Sequence, residues 1–184
     1  MFVFPNLSLR CTLLLFSITC VCVHGGKTAA TQWKGLAQWE AVHGGALVDL
    51  LGAGEKILFG EWMALKHSIH YTALPAPFIA FDIYDLTARR FVSVDVRNRL
   101  LAGTGIPVVP LVFRGPATRD ELVRIVKTRQ SSFYDGPAEG LYLRIDSPLY
   151  NEARCKIVRP DFLQSDEHWT KAAPVKNGIL YTAV

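Results

Sequence analysis

The sequence is poor in cysteine, and it has no apolar run of the roughly 18–20 residues that a membrane-spanning helix needs. Its four cysteines are too few for a fold built on disulfide bonds. An excess of charge of one sign is also lacking. The net charge of +4 permits a nucleic-acid partner without requiring one. Because 50% of the 184 residues are hydrophobic, the chain is not a disordered tail and can form the core of one domain.

Acidic residues are absent before Glu40, and the only basic residues in that part are Arg10, Lys27 and Lys34. Residues 11–23 form an apolar stretch that is followed by two glycines, an order typical of a weak secretory signal peptide. The alternative, which the motifs described below favour, is sequence foreign to the domain, from a mis-set start or from translated non-coding sequence. We therefore expect an apolar leader over residues 1–26 that packs poorly on a domain over residues 27–184.

Hydrophobic spacing and turn signals predict alternating helices and strands. Helices are predicted over residues 31–51 (as one helix or as two short ones divided at Gly44-Gly45), 93–102, 118–127 and 161–169. Strands are predicted over residues 56–62, 77–84, 90–92, 108–113, 139–145 and 154–158. Several strands follow each other too closely for the crossovers of a parallel sheet. The pattern therefore predicts an α+β domain with largely antiparallel sheets.

Charged residues interrupt otherwise apolar predicted strands, namely Glu61, Asp82, Glu139 and Lys156. One such residue is usually the end of a salt bridge or lies on a sheet edge, since a buried charge without a partner is costly. Acids and bases together favour a shared polar pocket, in which carboxylates hold a metal or a ribose and cations hold phosphate. The pattern thus predicts a pocket for an anionic ligand.

Four short motifs in a fixed order carry a family resemblance. They are Phe-Gly-Glu at 59–61, Phe-x-x-Phe-Asp-Ile-Tyr at 78–84, Glu-Gly-Leu-Tyr-Leu-Arg at 139–144 and Lys-x-Val-Arg-Pro-Asp-Phe at 156–162. They resemble motifs III, IIIa, IV and V of the covalent nucleotidyltransferases, which include RNA ligases, DNA ligases and mRNA capping enzymes. The sequence is most similar to the ATP-dependent RNA ligase family. This resemblance implies a ligase adenylation domain with largely antiparallel sheets, incomplete at its N-terminus.

The resemblance also implies a reaction, with ATP and Mg²⁺ as cofactors and RNA ends as partners in RNA repair. A lysine attacks the α-phosphate of ATP, AMP passes to an RNA 5′-phosphate, and a 3′-hydroxyl displaces AMP and seals the strand. By resemblance, Glu61, Glu139 and Lys156 are catalytic. The two glutamates would face Mg²⁺ and Lys156 the α-phosphate. The alternative for Lys156 is a solvated lysine on a sheet edge. Use of ATP implies an intracellular location, in contrast to the signal-like N-terminus.

Four further residues are implied in nucleotide binding. Phe81 is the first candidate for stacking on adenine and Phe78 the second, and at least one of the two must be a core aromatic. Arg154 shares a strand face with Lys156 by the two-residue period and would assist at the phosphate, or Arg159 would do so instead.

The sequence departs from the family pattern at its nucleophile. The family's lysine lies in motif I, Lys-x-Asp-Gly, before motif III, and no Lys-x-Asp-Gly occurs here. We expect a domain truncated ahead of about Lys27 that forms no lysyl-AMP. Two alternatives stay open. One is a catalytically dead remnant that binds nucleotide or RNA, and the other is a fragment of a DNA ligase-type adenylation domain.

Overall fold

The structure, a computed structural model, describes residues 11–15, 33, 35–52, 54–66, 68–162 and 174–180. Within them the chain forms seven strands and three helices. In chain order these are β1 (Cys11–Leu15), α1 (Leu36–Leu51), β2 (Lys56–Trp62), β3 (Phe78–Asp85), β4 (Arg90–Phe91), α2 (Val94–Leu101), β5 (Leu111–Gly115), α3 (Arg119–Thr128), β6 (Gly140–Asp146) and β7 (Asn151–Val158). No helix in the described part is long and apolar enough to cross a membrane.

The start of α3 follows the capping signal of the sequence. The Thr118 hydroxyl accepts the backbone N–H of Glu121, and the Glu121 carboxylate accepts the backbone N–H of Thr118. Both bonds satisfy N–H groups that the helix itself leaves without a partner. Ser93 caps α2 in a similar way, by accepting the backbone N–H of Val96.

The glycine pair of the first predicted helix does not break it. α1 is one helix that runs through Gly44 and Gly45 and ends before Gly52, whose φ of 62° is in the left-handed region. Leu36 and Leu50 at its two ends are buried against the first sheet. This burial outweighs the poor helix propensity of two glycines.

The strands form two antiparallel sheets, as predicted for an α+β domain. The first sheet has the order β2-β3-β4, and the second has the order β5-β1-β6-β7. The sheets face each other, because Ile79 of β3 and Tyr142 of β6 belong to one core cluster. Helices cover the outer faces. Leu50 of α1 packs with Phe78 on the first sheet, and Val126 of α3 packs on the second.

The apolar N-terminal stretch contributes one strand to the second sheet. The backbone of Cys11–Leu15 pairs with β5 on one side and with β6 on the other. The backbone of these five residues is therefore paired along both edges, as for any strand that lies between two others. The other residues up to 26 lie outside the described part, and the boundary of the leader stays a prediction.

Two predicted strands differ from the observed ones by more than one residue. The prediction of a strand over residues 108–113 starts too early, because the backbone at 107–109 pairs with Ala80 of β3 and β5 begins only at Leu111. β7 begins at Asn151, three residues earlier than predicted. The last predicted helix, over residues 161–169, lies outside the described residues beyond Phe162.

Candidate functional site

Glu61 is directed into the cleft between the two sheets. It lies opposite Ile79 in the β2–β3 ladder, and residues opposite each other in a ladder point to the same face. Ile79 packs with Tyr142 of the second sheet, so Glu61 also faces that sheet. Glu61 is 6% exposed and lines a narrow cavity of about 10 Å³ together with Tyr71 and Asn177.

Glu139 and Lys156 form an ion pair on the other side of this cleft. The Lys156 Nζ lies 2.9 Å from the Glu139 Oε1. Lys156 lies opposite Tyr142 in the β6–β7 ladder, which directs its side chain toward the first sheet. Although β7 is an edge strand, Lys156 is not freely solvated, since its side chain is 21% exposed and held by a buried carboxylate.

The second oxygen of Glu139 is available to a ligand. Glu139 Oε2 is buried and has no hydrogen-bond partner among the described residues. A buried acceptor without a partner costs about 1–3 kcal/mol. Arg159 lies beside it, because its backbone N–H donates to the Glu139 carbonyl, while its Nε is 3.1 Å from Asp161 Oδ1. The arrangement suits a cation at Oε2 and an anion near Lys156.

Two tyrosines connect the regions of Glu61 and Glu139. The rings of Tyr71, which lines the Glu61 cavity, and Tyr134 meet edge to face with centroids 5.6 Å apart. Burial raises the pKa of Tyr134, while Arg159 lowers it and Glu139 raises it. Tyr71 thus lies beside Glu61, and its ring partner Tyr134 is within electrostatic reach of Glu139.

Phe81 and Phe78 face opposite sides of the first sheet. Phe81 is half-buried and contacts Tyr142 edge to face, with ring centroids 6.4 Å apart, so it lies in the cleft. Phe78 is 6% exposed and packs against Trp39 of α1, with ring centroids 4.8 Å apart. A Cβ on Gly60 would lie 2.1 Å from the Phe78 ring, so this glycine makes room for it. The structure therefore does not bring Phe78, the second adenine candidate, into the cleft.

Arg154 reaches the cleft but is engaged there by Asp82. The Asp82 carboxylate is fully buried and accepts hydrogen bonds from Arg154 Nη1 at 2.9 Å and from the Tyr142 hydroxyl at 2.8 Å. It also forms an ion pair with Arg144. The Arg154 guanidinium stacks 3.4 Å from the centroid of the Phe91 ring. Arg154 thus joins the two sheets, and the phosphate contact that the resemblance implies stays a prediction.

Sequence reasoning assigned no role to two residues that shape the cleft. Asp82 stood out as a charge in an apolar strand, but its partners Tyr142 and Arg154 are 60 and 72 residues away in the chain. Arg97 of α2 is buried and donates to the Phe81 carbonyl at 2.7 Å. Burial lowers the pKa of Arg97 to about 10. No sequence signal marks it, because an arginine on a polar helix is ordinary.

No preformed multidentate metal centre exists in the described part of the chain. Groups of three or more His, Cys, Asp or Glu side chains that could hold a metal ion are absent among these residues. Mg²⁺ does not need such a group, since it is usually bound by one or two carboxylates together with water and phosphate oxygens. Glu139 Oε2 and Glu61 fit that kind of binding.

Comparison with known families agrees with the motifs. The sequence model of the family described as RNA ligase matches residues 15–158, which is most of the chain. Glu61, Phe81, Glu139 and Lys156 all lie within the matched residues. No curated protein and no solved structure gives a significant match. The motifs, the two facing antiparallel sheets and the extent of this match show that the chain belongs to the RNA ligase family.

Proposed function

We propose that the chain is the nucleotide-binding core of an ATP-dependent RNA ligase, with ATP in the cleft between the two sheets. The observation that carries the proposal is the Glu139–Lys156 ion pair, which directs a cation into the cleft and leaves one buried carboxylate oxygen to a ligand. Phosphoryl transfer depends mainly on positioning and charge neutralisation, and this pair suits both.

Each cleft residue has a defined task in this proposal. Phe81 stacks on adenine, and Lys156 contacts the α-phosphate, exchanging part of its bond to Glu139 for a bond to phosphate. Glu139, through Oε2, and Glu61 are the carboxylates that would hold Mg²⁺. When bound, Mg²⁺ supplies charge neutralisation at the phosphates. Arg154 keeps the two sheets together through Asp82, and Arg159 lies near Glu139.

We further propose that the 184-residue chain binds ATP without transferring AMP to itself. The covalent step forms a bond between a lysine nitrogen and the α-phosphorus and breaks the bond to pyrophosphate. It needs a lysine held in line, a placement worth many orders of magnitude in effective concentration. The printed sequence contains no Lys-x-Asp-Gly to provide it. Lys156 stabilises charge in this proposal and is not the attacking amine.

The test combines two measurements on the 184-residue chain. With ATP labelled at the α-phosphate and Mg²⁺, we expect no protein-bound label after denaturation, while equilibrium binding detects MgATP. The Lys156→Ala variant is expected to weaken MgATP binding by about 10- to 150-fold, since a hydrogen bond to a charged group contributes about 1.5–3 kcal/mol.

The exposed Lys127 of α3 provides the matched control, and Lys127→Ala is expected to bind as the wild type does. An acid-labile adenylate on the wild-type chain would contradict the proposed lack of self-transfer, and its mapping would identify the nucleophile. A wild-type chain that binds no MgATP would contradict the proposed function. Competition between 5′-phosphorylated RNA and DNA strands for binding to the chain separates the two ligase types. Stronger binding of RNA indicates an RNA ligase, and stronger binding of DNA indicates the DNA ligase-type alternative.

A further inference from the structure

A short segment near the C-terminus lies along the loop that follows Glu61. We call residues 174–180 the strap and residues 63–66 and 68–74 the loop. Five backbone hydrogen bonds join them, namely Lys66 N–H to Val175 O, Asn177 N–H to Ala64 O, Gly178 N–H to Tyr71 O, Leu74 N–H to Gly178 O and Leu180 N–H to Leu74 O. The strap lies beyond residue 158, where the family match ends, so its role does not follow from the match.

The side chain of Asn177 uses both ends of its amide on the loop. Its Oδ1 accepts the backbone N–H of Tyr71 at 3.0 Å, and its Nδ2 donates to the carbonyls of Met63 at 3.0 Å and Leu65 at 3.1 Å. Asn177 is buried, so these bonds are not exchanged for water without cost. One amide thus ties Met63 and Leu65, at the start of the loop, to Tyr71 near its end.

The residues joined by these bonds lie at the Glu61 cavity. Met63 lies two residues after Glu61, and Glu61, Met63, Tyr71 and Asn177 line the same narrow cavity. A loop of this length without regular structure has many conformations in isolation, and ordering it costs conformational entropy. The hydrogen bonds of the strap oppose this disorder and favour the conformation in which Tyr71 lines the cavity.

We propose that the strap is a positioning element for Glu61 and that Asn177 is its anchoring residue. This inference rests on the proposed function, because it assigns the strap to the nucleotide affinity that Glu61 provides. Asn177 itself makes no contact with nucleotide in this proposal and acts only through the loop. Loss of Asn177 should therefore weaken MgATP binding only when Glu61 is present.

A double-mutant cycle on the full 184-residue chain tests this dependence. MgATP dissociation constants are measured by calorimetry for the wild type, Asn177→Ala, Glu61→Gln and the double variant. We expect Asn177→Ala to weaken binding by about 5- to 20-fold in the wild type and by less than about 2-fold in the Glu61→Gln background. An equal loss in both backgrounds would overturn the proposal, because Asn177 would then act on the fold as a whole.

Two matched controls separate positioning from stability. The Asn151 amide at the β6–β7 turn also makes three hydrogen bonds, to Ile145 O, Asp146 Oδ1 and Ala153 O. Asn151→Ala should lower the unfolding temperature to a similar extent as Asn177→Ala, yet leave the MgATP affinity within about 2-fold. If Asn151→Ala weakened binding as much as Asn177→Ala, the effect would be one of stability and the proposal would fail.

Gly178→Ala displaces the strap without changing the Asn177 side chain. A Cβ there would lie 2.6 Å from the Thr72 carbonyl oxygen, whereas a Cβ on Gly45 of α1 meets nothing within 4 Å. We expect Gly178→Ala to weaken MgATP binding as Asn177→Ala does. Gly45→Ala should leave the MgATP affinity unchanged. This pair also keeps the proposal testable if Asn177→Ala does not fold.

Amide hydrogen exchange distinguishes failure of the strap from failure of the proposed function. In Asn177→Ala the backbone amides of Met63 and Tyr71 should exchange faster than in the wild type, while those of β6 are unchanged. Unchanged amide exchange in the loop would contradict the positioning role of the strap, even if the chain binds MgATP. A wild-type chain that binds no MgATP would contradict the proposed function and the link to Glu61, whatever the exchange result.

Discussion

At the scale of single residues, Phe78 and Phe81 lie on the same strand but have different surroundings. Phe78 packs in the core, whereas Phe81 lies in the cleft. The register of β2 and β3 shifts between Phe59 and Gly60, which lie opposite Asp82 and Ala80. Phe81 is the extra residue of this β-bulge. A bulge changes the direction of neighbouring side chains. As a result Phe81 and Asp82, although adjacent, both reach toward Tyr142 of the second sheet.

Substitution of the two phenylalanines should have opposite consequences. Phe81→Ala is expected to weaken MgATP binding by about 1–3 kcal/mol, the range for stacking of a base on an aromatic ring. Phe78→Ala should leave the affinity of the folded protein unchanged and lower the free energy of unfolding by about 3–5 kcal/mol. Calorimetry and urea unfolding measure the two quantities. Weaker binding by folded Phe78→Ala, with normal binding by Phe81→Ala, would reverse our assignment of the adenine contact.

At the scale of elements, α2 is joined to β5 by an ion pair at its first turn. Arg114 donates to both oxygens of Asp95, at 3.0 and 2.7 Å. The hydrogen bond from Arg114 is the largest cause of a lowered pKa for Asp95. Asp95 also lies in the first turn of α2, where the helix dipole favours a negative charge. The ionised form of Asp95 is therefore favoured in the folded state.

The stability that Asp95 contributes should depend on pH in a defined direction. A carboxyl group with a lowered pKa in the folded state stabilises the protein above its unfolded pKa, near 3.8, and loses this contribution as the pH falls through the lower folded value. Asp95→Asn should lower the free energy of unfolding by about 0.2–1 kcal/mol at pH 7, since the pair is largely exposed. The difference from the wild type should shrink below pH 3.8.

Urea unfolding at several pH values measures this difference. Asp49→Asn, at an exposed position of α1, is the control for loss of a carboxylate alone. A difference between Asp95→Asn and the wild type that stays constant from pH 7 to pH 3 would show that the ion pair is not the cause.

At the scale of the whole molecule, Asp82 joins the two sheets. It contacts Arg144, Arg154 and the Tyr142 hydroxyl, all from the second sheet. Arg144 also donates to the Val92 carbonyl at 2.6 Å. Burial lowers the pKa of Arg144, which means that its charge depends on nearby acceptors to remain in the interior. The spacing of the cleft walls is thus set by a buried network of charged groups.

Removal of the Asp82 carboxylate should strongly destabilise the fold. Asp82→Ala leaves the buried Arg144 charge with one acid fewer, and breaking such a pair costs about 3–5 kcal/mol. Asp85, at the end of the same strand, accepts a local bond from the Ala88 backbone N–H at 2.8 Å, so Asp85→Ala should lower the free energy of unfolding by about 1 kcal/mol. If urea unfolding gave the same decrease in the free energy of unfolding for both variants, the inter-sheet network would contribute no more to stability than a local turn contact.

The sequence by itself determined the local elements and the types of residue in the cleft. Capping by Thr118 and Glu121 predicted the start of α3, and the apolar runs predicted β2 and β3 within a residue at each end. These signals are local, because helix caps and the alternation of strands depend on neighbours a few residues away. The motifs around Glu61, Glu139 and Lys156 identified the family, since their order is written in the chain.

Only the tertiary structure decided how those residues are used. The bulge at Phe81, the partners of Arg154 and the attachment of Asn177 to the loop all depend on residues far apart in the chain. A strand's period of two does not contain the shift that a bulge introduces. A charge in an apolar strand indicates that a partner exists, but the partner is chosen by the packing of one sheet on another. For that reason Arg154 could be named from the sequence, but its role between the sheets could not.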